Sequence, residues 1–195
     1  EIRKKIKKIK KDKKKFDLKN SNKIIKKLNF ELTNDQKKTL IEINNDLTSK
    51  SKMFRLLQGD VGSGKTIVSL ISALNVVNSG YQVALMAPTE ILARQHFVLA
   101  KKIFPTQINL ALLSSKSENK IKKEIIDNLK TKKIDMVFGT HAIFQKKITF
   151  SNLGFIIIDE QHKFGVRQRK LLSDKGGKNW DVLLMSATLI PRTLT

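Results

Sequence analysis

The chain has 195 residues, 40% of them apolar, and 39 Lys and Arg against 17 Asp and Glu give a formal charge of +22. That length suits one domain with an appended segment, and it suffices to bury a core. Cysteine is absent, which excludes a disulfide scaffold, a Cys-ligated zinc and a Cys nucleophile, and no run approaches the ~20 apolar residues of a membrane span.

Residues 1–28 hold 14 Lys and Arg against 3 Asp and Glu, and residues 29–195 hold 25 against 14, so each part carries +11. Such a field favours polyanions, nucleic acid before anionic membrane. A composition bias toward Lys, which supplies 33 of the 39 basic residues, explains the total equally well. Residues 1–28 read as a basic linker. Ile2, Ile6 and Ile9 fall on one narrow helical stripe, but without Trp or Phe they make a poor membrane face. A helix packing on a neighbour or crossing a nucleic-acid backbone fits better, with the segment to about Phe30 loosely structured. No apolar run follows the basic start, so it is no signal peptide. The chain starts at Glu1 and stops at Thr195 close behind an apolar run, so both ends are expected to be cut from something longer.

From residue 31 the pattern changes. Thr33 or Asn34 can N-cap a helix to about Asp46. Strands are then expected over 53–57, 82–86, 108–113, 134–138, 155–158 and 182–185, with helices over 66–78, 90–104 and 118–130. Short apolar strands alternating with helices predict an α/β domain: a parallel sheet with helices on both faces. In such sheets ligands bind beyond the carboxyl ends of the strands, so the residues directly after each strand carry the function.

After the first strand comes Gly59-Asp60-Val61-Gly62-Ser63-Gly64-Lys65-Thr66, which satisfies G-x-x-x-x-G-K-[ST]. The glycines let successive N–H groups turn inward as an anion nest, and the next helix adds its N-terminal dipole. Lys65 is placed for the β- and γ-phosphates and the Thr66 hydroxyl for Mg²⁺. About 95 residues on, four apolar residues end in Asp159-Glu160. Asp159 would hold Mg²⁺, and Glu160 could orient or deprotonate the attacking water. The two elements together predict a nucleoside triphosphatase using ATP and Mg²⁺.

Five further stretches fall in order around them. Phe30-Glu31-Leu32-Thr33 with Gln36 precedes the loop. Ala87-Pro88-Thr89-Glu90-Ile91-Leu92-Ala93-Arg94-Gln95 and Gly139-Thr140-His141-Ala142 follow strands. Asp159-Glu160-Gln161-His162 continues into Lys163-Phe164-Gly165-Val166, and Met185-Ser186-Ala187-Thr188 leads into Ile190-Pro191-Arg192-Thr193. Over about residues 28–195 this resembles the first motor domain of superfamily 2 helicases. The phosphate loop, Asp-Glu-Gln-His with Phe-Gly-Val, and the terminal Ile-Pro-Arg-Thr-Leu look specifically like the RecG family of bacterial ATP-dependent DNA helicases.

The resemblance implies a RecA-like P-loop domain over 29–195, belonging to a DNA motor that remodels stalled forks and branched DNA in recombination and repair. It implies that Gln36 reads the adenine, that His162, Ser186 and Thr188 couple nucleotide state to DNA grip, and that Pro88, Thr89, Arg94, Thr140 and His141 line loops touching a DNA strand. Such contacts should fall on the sugar–phosphate backbone, since a motor must step over any sequence. A second RecA-like domain of the same protein, which would supply an arginine in trans, and a wedge domain are expected outside this chain. The isolated chain should therefore bind ATP weakly and scarcely turn it over. The implied protein is monomeric and cytoplasmic in a bacterium, with no membrane contact. The transcription-coupled repair translocase is the alternative, although it more often has Glu where Gln161 stands.

Two positions depart from the family pattern. Leu189 stands where Pro is usual, which should loosen the backbone after Thr188, and Lys163 stands where Arg is usual. Trp180 could stack on a base or lie in the core, and residues 167–170 could meet DNA or a second domain. The lysines at 123, 132 and 133 read as solvated helix edge, and His96 and His141 have no metal-ligand spacing.

Overall fold

A computed structural model describes residues 10–145, 147–160 and 179–187. The elements run in chain order: α1 (Lys19–Lys27), α2 (Asn34–Thr48), β1 (Phe54–Gln58), α3 (Lys65–Asn78), β2 (Gln82–Met86), α4 (Glu90–Ile103), β3 (Leu110–Leu113), α5 (Asn119–Lys130), β4 (Met136–Gly139), a 3₁₀ turn (His141–Phe144), β5 (Leu153–Ile158) and β6 (Asp181–Ser186). The six strands form one sheet in the order β1-β6-β5-β2-β4-β3, and every pair is parallel.

That order follows from right-handed crossovers. The connections β1–β2 and β2–β3 step one way across the sheet and put α3 and α4 on one face. The return from β3 to β4 puts α5 on the other. Both faces are dry. Phe155 and Ile157 of β5 join Leu70, Leu74, Leu85 and Phe138 in one core, while Ile156 and Ile158 join Val137, Leu129, Phe144 and Leu184 in a second. A strand buried on both faces must be apolar at every position, which is why 155–158 reads as an unbroken run. α3 is likewise buried from Ile67 to Val77. It lies between the sheet and the outer helices α1 and α2, so it has no polar face.

Residues 10–28, part of the segment expected to be loose, pack on the domain. α1 sends Ile24 into the core beside α3. Before it, the Lys11 N–H donates to the Lys50 carbonyl at 2.9 Å. The ammonium groups of Lys11 and Lys14 reach the buried Asp181 carboxylate at 2.5 and 2.6 Å, with all three side chains fully buried. Asp181 also accepts the Met53 N–H at 2.7 Å. One carboxylate thus ties the N-terminal segment, the entry to β1 and the start of β6. Burial pulls the Lys11 ammonium down to about 8, against the opposing attraction of Asp181. Two of the lysines in the basic run therefore serve packing rather than an external field. Trp180 lies in the core with the Lys52 ammonium 3.9 Å from its ring centroid, which leaves it no base to stack on.

Candidate nucleotide site

β1 ends at Gln58, and the chain turns through residues 59–64 into α3. Gly62 and Gly64 hold φ of +84° and +82°, left-handed values that a β-carbon resists. Gly64 occupies the N-cap position of α3 with no side-chain cap, so the first N–H groups of that helix are left for the loop to direct. The Lys65 ammonium donates to the carbonyls of Gly59 and Asp60 at 2.6 and 2.7 Å, which holds it over the loop. Thr66 stands beside it in the first turn. Val61 projects at the tip, 89% exposed.

Gln36 reaches this loop from α2. Its backbone N–H and side-chain oxygen complete a capping box with Thr33. That leaves its amide N–H free to donate to the Ser63 carbonyl at 2.8 Å. A β-carbon at Gly64 would come within 2.2 Å of the same amide nitrogen, so a larger residue would be strained at φ +82° and would displace the Gln36 side chain.

The acids stand on the same edge of the sheet. β6 lies between β1 and β5, and the Gly59 N–H donates to the Ser186 carbonyl at 3.3 Å. The phosphate loop, Ser186 and Asp159-Glu160 therefore follow three adjacent parallel strands. Glu160 adopts φ of +52°, a strained value for a residue with a β-carbon. Its N–H donates to one oxygen of Asp159 at 3.0 Å. The other Asp159 oxygen lies 2.7 Å from Nε2 of His96 on α4. Sequence reasoning missed His96. A signal existed: with Ala93 and Ala100 it forms the buried stripe of α4, where a polar side chain needs a partner.

The other half of the edge is built by β2, β4 and β3. Thr89 N-caps α4, its hydroxyl accepting the Leu92 N–H at 3.3 Å, with Pro88 before it and Arg94 exposed on the helix. Thr140 and the exposed His141 follow β4. Glu90 fastens the β2 end to the β3 end: its carboxylate accepts the Ser114 hydroxyl at 2.9 Å and the Ser115 N–H at 2.5 Å. Hydrogen bonds from Ser115, then Ser114, hold the Glu90 carboxyl down at about 2. His162, Thr188, Lys163, Leu189 and residues 167–170 lie outside the described residues.

A sequence-family model described as DEAD/DEAH box helicase matches residues 33–195. The chain belongs to the DEAD/DEAH box helicase family. It is 51% identical over 191 residues to the ATP-dependent DNA helicase RecG of Aquifex aeolicus, covering 97% of this chain and 24% of that protein. It is 49% identical over 172 residues to the RecG of Borreliella burgdorferi, covering 88% of this chain and 25% of the relative. A solved structure of RecG bound to a three-way DNA junction superposes with a TM-score of 0.86 at 44% identity, covering 98% of this chain and 26% of that one. The chain thus spans about a quarter of the length of these helicases. The parallel RecA-like helicase fold and the RecG resemblance expected from the motifs both hold.

Proposed function

We propose that this chain is the ATP-binding motor domain of a RecG-type DNA helicase and translocase, acting on branched DNA and stalled forks. The observation that carries the reading is the shared sheet edge. A left-handed glycine loop with its lysine and an acidic strand end flank β6, in a chain about half identical to RecG helicases. That the reported relatives carry the RecG name favours it over a transcription-coupled repair translocase.

The residues present fit ATP and Mg²⁺. Thr66 and Asp159 offer the hard oxygen donors that magnesium prefers, and the Lys65 ammonium is held over the loop that would take the phosphates. Held by those two residues, magnesium would supply positive charge against the phosphates. Lys65 and the N–H groups of the loop bind the phosphates. Glu160 orients the attacking water and accepts its proton. Gln36 contacts the adenine from the rim of the loop, and Ser186, Thr188 and His162 carry the nucleotide state to the DNA-gripping half. Pro88, Thr89, Arg94, Thr140 and His141 hold one DNA strand by its backbone.

A second RecA-like domain of the same protein closes over the nucleotide and supplies an arginine, worth about 10³–10⁵ in rate in comparable enzymes. The protein acts as a monomer in the bacterial cytoplasm. No helix among the described residues is long and apolar enough to cross a membrane. The test is ATP turnover by the full-length protein with and without branched DNA. DNA-stimulated turnover that disappears in Lys65→Ala is expected, whereas equal turnover by parent and variant would overturn the reading.

A further inference from the structure

Among the described residues, a side-chain contact joins the two halves of the sheet edge. Asp159 closes β5, the last strand of the nucleotide half, and its N–H donates to the Met86 carbonyl at the end of β2 at 2.8 Å. From that same end of β2 the chain runs through Pro88 and Thr89 into α4, and the second turn of α4 brings His96 back onto the Asp159 carboxylate. Both side chains are largely buried, with His96 9% and Asp159 17% exposed. An ionised carboxylate only accepts, so Nε2 of His96 carries the hydrogen. With Glu160 N–H on one oxygen and His96 on the other, the rotation of the Asp159 carboxylate is fixed from two directions. Only the second of these comes from another element. A shift of α4 would turn the carboxylate, or leave it unheld.

We propose that His96 is a positioning residue: it aims the Asp159 carboxylate for the metal and makes that aim depend on where α4 sits, so that DNA engaging the Thr89–Arg94 end of α4 reaches the nucleotide site through one hydrogen bond. The inference rests on the motor-domain reading and adds to it a route between its two sites. It differs in kind from a metal-ligand role, since His96 touches the carboxylate and no cluster of metal-ligating side chains forms among the described residues. Partners of metal-ligating carboxylates orient them in this way in many metal sites.

The experiment uses the full-length protein and two readouts. The first is equilibrium binding of a fluorescent ATP analogue, with Mg²⁺ and with excess EDTA, and the second is the ratio of DNA-stimulated to unstimulated turnover. In His96→Leu the tightening of binding by Mg²⁺ should fall about tenfold while binding in EDTA changes less than about twofold, and the stimulation ratio should fall with it. His96→Gln, whose amide nitrogen can reach the same oxygen, should recover the tightening to within about threefold, and His96→Asn, one carbon shorter, should not. If His96→Leu does not fold, the contrast between the two amides decides. Parental tightening in His96→Leu, an unchanged stimulation ratio, or equal behaviour of the two amides would overturn the proposal. A parent protein with no DNA-stimulated turnover would instead remove the functional reading beneath it.

Discussion

Gly64 shows how narrowly single residues are specified at the phosphate loop. Its left-handed backbone resists a β-carbon, which would also push the Gln36 amide off the loop. Gly64→Ala should therefore weaken binding of an ATP analogue by at least about tenfold, the cost of one strained backbone position. A titration that finds parental affinity would contradict this. Glu90 makes a prediction about pH. Its folded carboxyl lies near 2 against an ordinary 4.5, so it stabilises the fold above pH 4.5 and loses that contribution as pH falls toward 2. Denaturant unfolding of the parent and Glu90→Gln should show a stability gap at pH 7 that closes between about pH 4.5 and 2. A gap of constant size would mean that Ser114 and Ser115 do not hold the charged form. Candidate site residues stand out in the sequence where the signal is contiguous, as in 59–66 and 159–160, and the fold brings those two stretches to one sheet edge. His96 was not legible as a site residue, because its partner lies 63 positions away and histidine alone does not say whom it meets.

The elements of the sheet were read almost to their ends, since strands buried on both faces leave long apolar runs and β2 falls on residues 82–86 as the pattern predicts. β3 and β4 begin two residues later than expected, at Leu110 and Met136, where pairing rather than hydrophobicity starts the strand. The N-terminal segment was misread for an electrostatic reason. Its lysines look like solvent-facing charge, and the acid that buries Lys11 and Lys14 stands 170 and 167 residues further on. Removing one partner from a buried ion cluster leaves uncompensated charge, so Asp181→Ala should destabilise the domain by about 3 kcal/mol or more. Urea unfolding measures it, and a change below about 1 kcal/mol, the range of an exposed pair, would show the cluster to be solvated. α1 and its lead-in thus belong to the folded unit, with Ile24 seated in the core beside α3.

At the scale of the described fold, the sheet edge has two halves: β1, β6 and β5 present the glycine loop and acids, and β2, β4 and β3 present hydroxyls and Arg94, which the proposed function assigns to nucleotide and DNA respectively. Under the proposed function, the charge of +22 would set a background attraction to DNA, on which backbone contacts would add a salt-sensitive part. Arg94→Ala should weaken binding of branched DNA by the full-length protein similarly for different sequences and reduce the slope of log affinity against log salt by about 1. An unchanged slope would remove Arg94 from the DNA path. The division of the edge was legible in outline, because residues following parallel strands must gather at one side of the sheet. The side-chain hydrogen bond between His96 and Asp159 could be seen only once α4 was placed. The most direct test of the account is a crystal structure of this chain with a non-hydrolysable ATP analogue and Mg²⁺. The triphosphate should lie in the 59–66 loop against Lys65, with the metal between Thr66 and the Asp159 side. A nucleotide bound elsewhere, or a metal remote from Asp159, would contradict it.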